Sequence, residues 1–257
     1  MLLPRLGWRT SPDTAVSLRD FTVRLGTSWL LSDFARIRRM HHLNFVRAAH
    51  GLPTTAPDPL DGYRVLCGVL RRVWQRVKWE NDRKEVYWRL AVDGVALLGN
   101  SHLHGTTPDP CCCGTYPGSS QEPPRTHHFW TCSVAQTLLR DVERTAGCSV
   151  TRAHVWLMIS PDAKRIRGCV WDVVCLAVLN ALETARRYQR SRRPHGPLSC
   201  ARACTVARAR YQFLLNDFAA LGLPEKGWDS VEASHPFLCA RDGKLVVSTD
   251  PAPGSSG

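Results

Sequence analysis

The sequence predicts a mainly α-helical protein, with a helical body, a small inserted module and a short C-terminal β-hairpin. Three observations support this prediction. Apolar residues recur at spacings of three and four over most of the chain, as they do in helices that bury one face. A segment rich in Pro, Gly, Ser and Cys, from Gly105 to Thr126, interrupts that periodicity. Near the C-terminus, Asp242-Gly243 separates two short apolar runs, and Asp-Gly favours the tight turn of a hairpin.

Length and composition allow one large domain or two small ones. The chain has 257 residues, of which 44% are hydrophobic, so it contains enough apolar material to bury a core. We predict four segments along it. They are residues 1–59 as an N-terminal helical segment and linker, 60–147 as helices plus the inserted module, 148–222 as a basic helical region, and 223–257 as a hairpin and disordered tail.

The first half of the chain is predicted to contain three helices. The apolar spacing predicts one over residues 16–50, and a proline-rich linker follows from Gly51 to Pro59, because proline cannot continue a helix. Two more helices are predicted over Tyr63–Trp79 and Lys84–Leu98. The first of these two has a basic face. Its predicted buried residues are Val65, Val69, Val73 and Val77, flanked by Leu70 and Trp74.

The second half follows the loop rich in cysteine. A helix is predicted to begin at Ser133, whose hydroxyl can cap the first turn. A short apolar segment, Arg152–Ile159, precedes the longest predicted helix, Ala163–Arg190, and the hairpin is predicted over Phe237–Val247. Between them, a helix over Leu198–Leu221 is predicted to bury Val206, Phe213, Leu214 and Phe218.

The inserted module contains four soft metal ligands in a short stretch. Cys111, Cys112 and Cys113 precede a glycine, twelve residues separate that glycine from His127, and Cys132 lies five positions beyond. Zinc favours tetrahedral coordination by thiolate and imidazole, so one structural zinc ion is the predicted cofactor. The preferred ligands are Cys111, Cys113, His127 and Cys132, since alternate cysteines can point to one side of a turn. The alternates are Cys112 and His128.

Residues around these ligands suit a metal centre as well. Gly114 can adopt the left-handed conformation that turns the chain back over the metal. The positive end of the helix beginning at Ser133 favours the thiolate form of Cys132. Phe129 and Trp130 are predicted to cover the site with apolar surface. Folding of this loop is therefore expected to depend on the metal.

A wider pattern surrounds the ligands. Tyr87-Trp88-Arg89-Leu90 comes first, then a cysteine pair ending in glycine, then a His-x4-Cys motif, then a helix with Val134 and Leu138 on its apolar face. This order resembles the zinc-binding domain found downstream of the polymerase in many non-LTR retrotransposon reverse transcriptases. The resemblance covers about residues 84–146. It implies a C-terminal fragment of a retroelement protein.

The catalytic residues of such a retroelement protein are missing from this sequence. A polymerase of that family needs a paired-aspartate metal site, and the sequence has no two adjacent aspartates. Two-metal nucleases need clustered carboxylates, whereas Asp93, Asp141 and Asp172 are scattered. We therefore expect no enzymatic activity and no small-molecule substrate.

The charge of the chain favours a polyanionic partner. Lys and Arg number 34 against 22 Asp and Glu, which leaves a formal net charge of +12. Arginine pairs with phosphate through two parallel hydrogen bonds, so RNA or DNA is the expected partner. Alternatively, the charge serves only solubility, and the protein is a zinc-stabilised interaction adaptor that does not bind nucleic acid. The candidate nucleic-acid-binding residues are Arg71, Arg72, Arg76, Arg186, Arg187, Arg190, Arg192 and Arg193.

The sequence also suggests a compartment. The first residues lack a long apolar core with a cleavage site, and no stretch approaches the roughly eighteen apolar residues of a membrane span. We expect an intracellular protein, cytoplasmic or nuclear, that is not secreted and does not enter a membrane. Its eleven cysteines are then thiols and metal ligands in a reducing compartment.

Overall fold

A computed structural model of the chain describes residues 8–11, 14–16, 39–57, 61–92, 111–115, 123–191, 199–221, 235–242 and 244–248. It confirms a mainly α-helical protein with a C-terminal hairpin. The helices are α1 over residues 39–49, α2 Gly62–Arg76, α3 Asn81–Ala91, α4 Pro124–Thr126, α5 Ser133–Ala146, α6 Arg152–Trp156, α7 Gly168–Ser191 and α8 Cys200–Ala220. The strands form two antiparallel pairs, β1 Trp8–Ser11 with β2 Thr14–Val16, and β3 Leu238–Arg241 with β4 Lys244–Val247.

Helix α7 lies at the centre of the core and packs against α3, α5 and α8. It begins at Gly168 and not at Ala163 as predicted, because Asp162 caps an isolated turn by accepting hydrogen bonds from the N–H groups of Lys164 and Arg165. Gly168–Gln189 is long and apolar enough to cross a bilayer, but 78% of its apolar window is buried inside the protein. Its predicted core face is buried throughout, at Val170, Val173, Val174, Ala177, Val178, Ala181 and Leu182.

An aromatic contact joins the helices around one end of this core. The ring of Phe45 on α1 stacks on Trp156 of α6 at 5.2 Å, and the two planes are nearly parallel. The hydroxyl of Tyr87 on α3 donates a hydrogen bond to the carbonyl of Trp156 at 2.9 Å. All three side chains are fully buried. They fix the position of α6 and of the segment that follows it.

The predicted buried face of α2 is partly wrong. Val65 and Trp74 are each 40% exposed, whereas Leu66, which was not included, is completely buried. The rotation of the helix is set by Arg72, which points towards the core and bonds to Asp172 of α7 at 2.7 Å. The helix also ends at Arg76, short of Trp79, whose buried ring follows it.

Two other predictions need correction. The helix predicted over residues 16–50 does not include Val16, which pairs with Trp8 in the strand pair β1 and β2, and this pair was not predicted. In α8, Phe213 is 50% exposed, and Arg210 lies over its ring at 4.9 Å. Leu214 and Phe218 are buried as predicted, Val206 is half-buried, and Leu215, which was not included, is buried with them.

The C-terminal hairpin is confirmed. Arg241 pairs with Lys244 at the turn, and Asp242 has a φ of 51°, as a tight hairpin turn requires. Val247 faces Leu238 at the other end of the ladder, and β4 packs against α8. The predicted disordered tail lies outside the described residues, as does most of the predicted helix before residue 39 and the part of Lys84–Leu98 after residue 92.

His235, next to the hairpin, predicts a pH dependence of stability. It is 5% exposed, and its Nδ1 accepts a hydrogen bond from the N–H of Phe237. Burial, with a smaller effect of Arg167, lowers its pKa from 6.5 to about 4. The unfolded chain therefore binds the proton first, and stability should fall by up to about 1.4 kcal/mol per pH unit as the pH drops through this window. The unfolding free energy, measured by urea unfolding at several pH values, should change less steeply with pH in a His235→Gln variant. An equal pH dependence in the two proteins would contradict the prediction.

Candidate metal centre

The first two ligands lie on a tight turn, residues 111–115. The N–H of Gly114 donates to the carbonyl of Cys111 at 2.8 Å, and the N–H of Cys111 donates to the carbonyl of Thr115 at 2.7 Å. Gly114 has a φ of 83°, the left-handed conformation predicted for it. The turn closes on itself, so Cys111 and Cys113 are held close together while their side chains remain free to point at one ion.

The other two ligands flank a π-helical turn, His127–Thr131, which continues directly from α4. The N–H of Cys132 donates to the carbonyl of His127 at 2.7 Å, a bond across five residues and not the four of an α-helix. This wider turn brings the side chains of His127 and Cys132 to the same side. Isolated π-turns of this kind are frequent at functional sites.

Cys132 also forms the N-terminal cap of α5. Its backbone is extended, with ψ at 140°, and its side chain makes no capping hydrogen bond. The prediction that the positive end of α5 favours the thiolate of Cys132 is wrong in its outcome, because the hydrogen bond with Cys111 and burial raise the pKa of Cys132. The capping role predicted for Ser133 is wrong: Ser133 is the first helical residue, and its hydroxyl lies 2.9 Å from the sulfur of Cys200.

The four preferred ligands converge. One donor atom from each of Cys111, Cys113, His127 and Cys132 lies within 4.8 Å of the others. Cys111 Sγ and Cys132 Sγ are 3.5 Å apart, and Cys113 Sγ lies 3.4 Å from His127 Nε2. Zinc bonds of about 2.0–2.3 Å in a tetrahedron place the ligand atoms roughly 3.3–3.8 Å apart. The cluster could therefore hold a metal ion, and its four members are the residues preferred from the sequence.

The alternate ligands are adjacent to the cluster. Cys112 Sγ lies 4.0 Å from Cys111 Sγ, and the ring of His128 lies 5.2 Å from that of His127. Burial lowers the pKa of His128 and so favours the neutral ring. Its Nε2 has no hydrogen-bond partner within the described ranges. Neither residue belongs to the converging set of four.

The thiols share negative charge in a way that suits a cation. The pKa of Cys111 is lowered because Cys112 and Cys132 donate hydrogen bonds to its thiolate. The same contact with Cys111 raises the pKa of Cys112 and of Cys132. One thiolate is thus favoured at the expense of its neighbours, and a divalent ion relieves this competition by replacing their protons.

Three of the four residues are buried. Cys111, His127 and Cys132 are 4%, 6% and 3% exposed, and Phe129, within the π-turn, is 1% exposed. Trp130 is half-buried, and its carbonyl accepts a hydrogen bond from Gln136 at 2.6 Å. Phe129 and Trp130, predicted to cover the site, are therefore buried and half-buried in the core. The π-turn also packs against α7, which attaches the centre to the core.

The structure separates the predicted nucleic-acid-binding arginines into two groups. Arg71 and Arg76 are exposed on α2, and Arg187 is half-exposed on α7. The expected role of Arg72 needs correction, because both of its bonds to Asp172 and a third to the carbonyl of Met158 occupy its guanidinium. Arg190 lies in the last turn of α7, and Arg192 and Arg193 lie outside the described residues.

Arg186 is also unsuited to phosphate binding. It is 6% exposed and makes two hydrogen bonds of 2.7 Å to Glu183, which is itself buried. Burial opposes ionisation of Glu183, but the bonds from Arg186 and Arg187 outweigh it and lower its pKa. The guanidinium of Arg186 is therefore occupied by an ion pair inside the protein and is not available to a phosphate. Sequence spacing could not reveal this, because Glu183 and Arg186 are as close in an exposed helix as in a buried one.

Fold and site together define a helical protein with a Cys3His cluster built from a tight turn and a π-turn. No protein-family model matches the chain, no curated protein matches its sequence, and no solved structure matches its fold.

Proposed function

We propose that this chain is a retroelement-derived zinc-binding protein that binds RNA or DNA and has no enzymatic activity. The convergence of Cys111, Cys113, His127 and Cys132 carries the proposal. Three thiolates and one imidazole are a ligand set typical of structural zinc, and soft sulfur ligands disfavour magnesium and calcium. The ion would join the turn at residues 111–115 to the π-turn.

A structural role for zinc follows from the number of ligands. Catalytic zinc sites keep one coordination position for water or substrate, whereas four protein ligands fill a tetrahedron. The proposed role of the centre is to position helices for a partner.

The proposed origin depends on the resemblance to the zinc-binding domain of non-LTR reverse transcriptases. The elements in that order are α3 with its Tyr-Trp pair, the turn bearing Cys111 and Cys113, the His-x4-Cys π-turn, and α5 with Val134 and Leu138 buried. Such a fragment is proposed to act inside the cell, in cytoplasm or nucleus, on the nucleic acid of the element or of its host.

Nucleic-acid binding by the zinc-loaded protein is the test of this proposal. Fluorescence anisotropy with labelled RNA and DNA should show binding that weakens steeply between about 50 mM and 200 mM salt, because bound phosphates release counterions. Removing zinc with a chelator should reduce the affinity further. A Cys67→Ser variant, which changes a thiol outside the cluster, serves as the control and should bind as the wild type does.

The alternative adaptor would behave differently. A zinc-loaded protein that shows no salt-dependent binding of RNA or DNA, while its fold still depends on zinc, would exclude the nucleic-acid proposal and favour the adaptor. If the protein binds nucleic acid equally well with and without zinc, the metal centre is not needed for nucleic-acid binding, and that part of the proposal is wrong.

A further inference from the structure

A groove of about 690 Å³ lies between α2 and the segment that follows α6. One wall is the exposed side of α2, and the other is the short segment from Leu157 to Ile159. The groove is distant in sequence from the metal ligands and shares no residue with them. Its polar side chains are Arg64, Arg71, Arg72, Gln75 and Arg76.

Three of these arginines present their charge to the groove. Arg71 and Arg76 are exposed, and the side chain of Arg64 is 87% exposed, with Asp61 at 3.7 Å as a weak surface partner. Arg72 differs, since the buried carboxylate of Asp172 neutralises it. At a rise of about 1.5 Å per residue, Arg64 and Arg76 lie roughly 18 Å apart along the helix. Arg64 and Arg71 lie on one side of α2 and Arg76 roughly a third of a turn away, so the positive charge flanks the groove along this length.

Gly68 lies between these charges, on the side of α2 that lines the groove. It occupies the interior of α2, where glycine destabilises a helix relative to alanine. Packing does not explain it, because an added Cβ would meet nothing within 4 Å and its φ is not in the left-handed region. Its effect is to leave the helix backbone bare at the floor of the groove. A bare backbone permits the close approach of a ligand.

Apolar side chains lie beside the charges. Val65 is 40% exposed and Ile159 is 43% exposed, both on the walls of the groove. Between Leu157 and Ile159, Met158 has a φ of 49°, which is unfavourable for a side chain of this kind. The hydrogen bond from Arg72 to the carbonyl of Met158, 3.0 Å long, holds this strained residue in place.

We propose that this groove binds a single strand of nucleic acid, with Arg64, Arg71 and Arg76 on its phosphates, bases over Val65 and Ile159, and Gly68 at the point of closest approach. Basic grooves that follow the backbone bind single strands without sequence preference, and here the aliphatic Val65 and Ile159 occupy the place beside the charges that aromatic side chains hold in such proteins. A duplex hides its base faces in the stack and so cannot use the apolar wall. The inference depends on the proposed function, since it names the surface and the form of nucleic acid.

The arginines are tested by salt titration of the zinc-loaded protein with a labelled single strand of about ten nucleotides. Each phosphate contact contributes about 0.7 to the slope of log affinity against log salt. In the triple variant Arg64→Gln, Arg71→Gln, Arg76→Gln this slope should therefore be smaller by about 2. If the two proteins bind equally at about 1 M salt, the variant should bind on the order of 100-fold more weakly than the wild type at about 0.1 M salt. Arg202→Gln, on the exposed side of α8, is the matched control for each charge.

The Gly68→Ala variant shows whether Gly68 contacts the bound strand or serves only the structure of α2. The variant should unfold at a higher temperature than the wild type, because alanine favours the helix, and should bind the single strand several-fold more weakly, because its methyl group enters the groove. Gly168→Ala is the control, since an added Cβ also meets nothing within 4 Å there and the residue does not line the groove. It should leave the affinity unchanged.

The possible outcomes are distinct. Loss of affinity in the arginine and Gly68 variants with normal zinc content supports the groove. Wild-type affinity in both sets, when the wild type does bind, overturns the groove but leaves the proposed function standing. Equal or tighter binding of a duplex of the same sequence overturns the single strand as occupant. A wild type that binds neither form overturns both proposals.

Discussion

A Cys132→Ser variant should lose its zinc and lose stability with it. Structural zinc in small peptides binds with about 10–16 kcal/mol near neutral pH, and much of that free energy is folding free energy. Cys132 is the most buried of the four residues, at 3% exposed, and its sulfur lies 3.5 Å from that of Cys111. We expect zinc content to fall from one equivalent to none, and the thermal unfolding midpoint to fall with it.

Cys112→Ser is the control that distinguishes the preferred ligands from the alternate ones. Its thiol is 4.0 Å from Cys111 but outside the converging four, so this variant should keep its zinc. Both variants are measured by metal analysis and by the visible absorption of the cobalt-substituted protein, which reports the number of thiolates. Loss of zinc in Cys112→Ser with retention in Cys113→Ser would reverse the assignment.

The second large effect concerns Arg72, and the expected result of Arg72→Met is a loss of about 3–5 kcal/mol of unfolding free energy at neutral pH. The variant leaves Asp172, which is 1% exposed, without its ion-pair partner. Burial already raises the pKa of Asp172, and the bonds from Arg72 oppose that shift. Without Arg72 the folded protein binds a proton more tightly than the unfolded chain. The difference in unfolding free energy between Arg72→Met and the wild type should therefore become smaller as the pH falls.

Two further variants show whether the buried charge causes this loss. Arg72→Met combined with Asp172→Asn should be more stable than Arg72→Met alone, because the unpaired carboxylate is gone. Arg71→Met, at the neighbouring exposed position, should change stability by no more than about 0.5 kcal/mol. Chemical denaturation measures all of them. A double variant less stable than the single one would show that packing, and not charge, sets the cost.

Much of the metal centre could be predicted from the sequence because ligand chemistry is local. Three cysteines before Gly114 define a turn, and alternate residues on a turn share a side, so Cys111 and Cys113 could be chosen over Cys112. The choice of His127 over His128 depends on the π-turn, which no spacing rule predicts. Periodicity assumes α-helical geometry, and the hydrogen bond from Cys132 to His127 spans one residue more than that geometry allows.

The arginines show where sequence reasoning ends. Arg72 and Asp172 are 100 positions apart, so nothing in the local sequence distinguishes Arg72 from the exposed Arg71. The same pairing rotates α2 so that Leu66 is buried and Val65 is exposed, which reverses part of the predicted face. Helices, and the hairpin turn at Asp242, follow from local preferences and were predicted. Helix rotation and ion-pair partners depend on tertiary contacts.

The central position of α7 has a consequence for how the chain is made. Its covering helices lie on both sides of it in the sequence, α3 and α5 before and α8 after. Because α7 leaves the ribosome before α8 does, one flank of this helix, long and apolar enough to cross a bilayer, is bare for a time. The nascent protein should therefore be a substrate for chaperones that bind exposed apolar segments until α8 arrives.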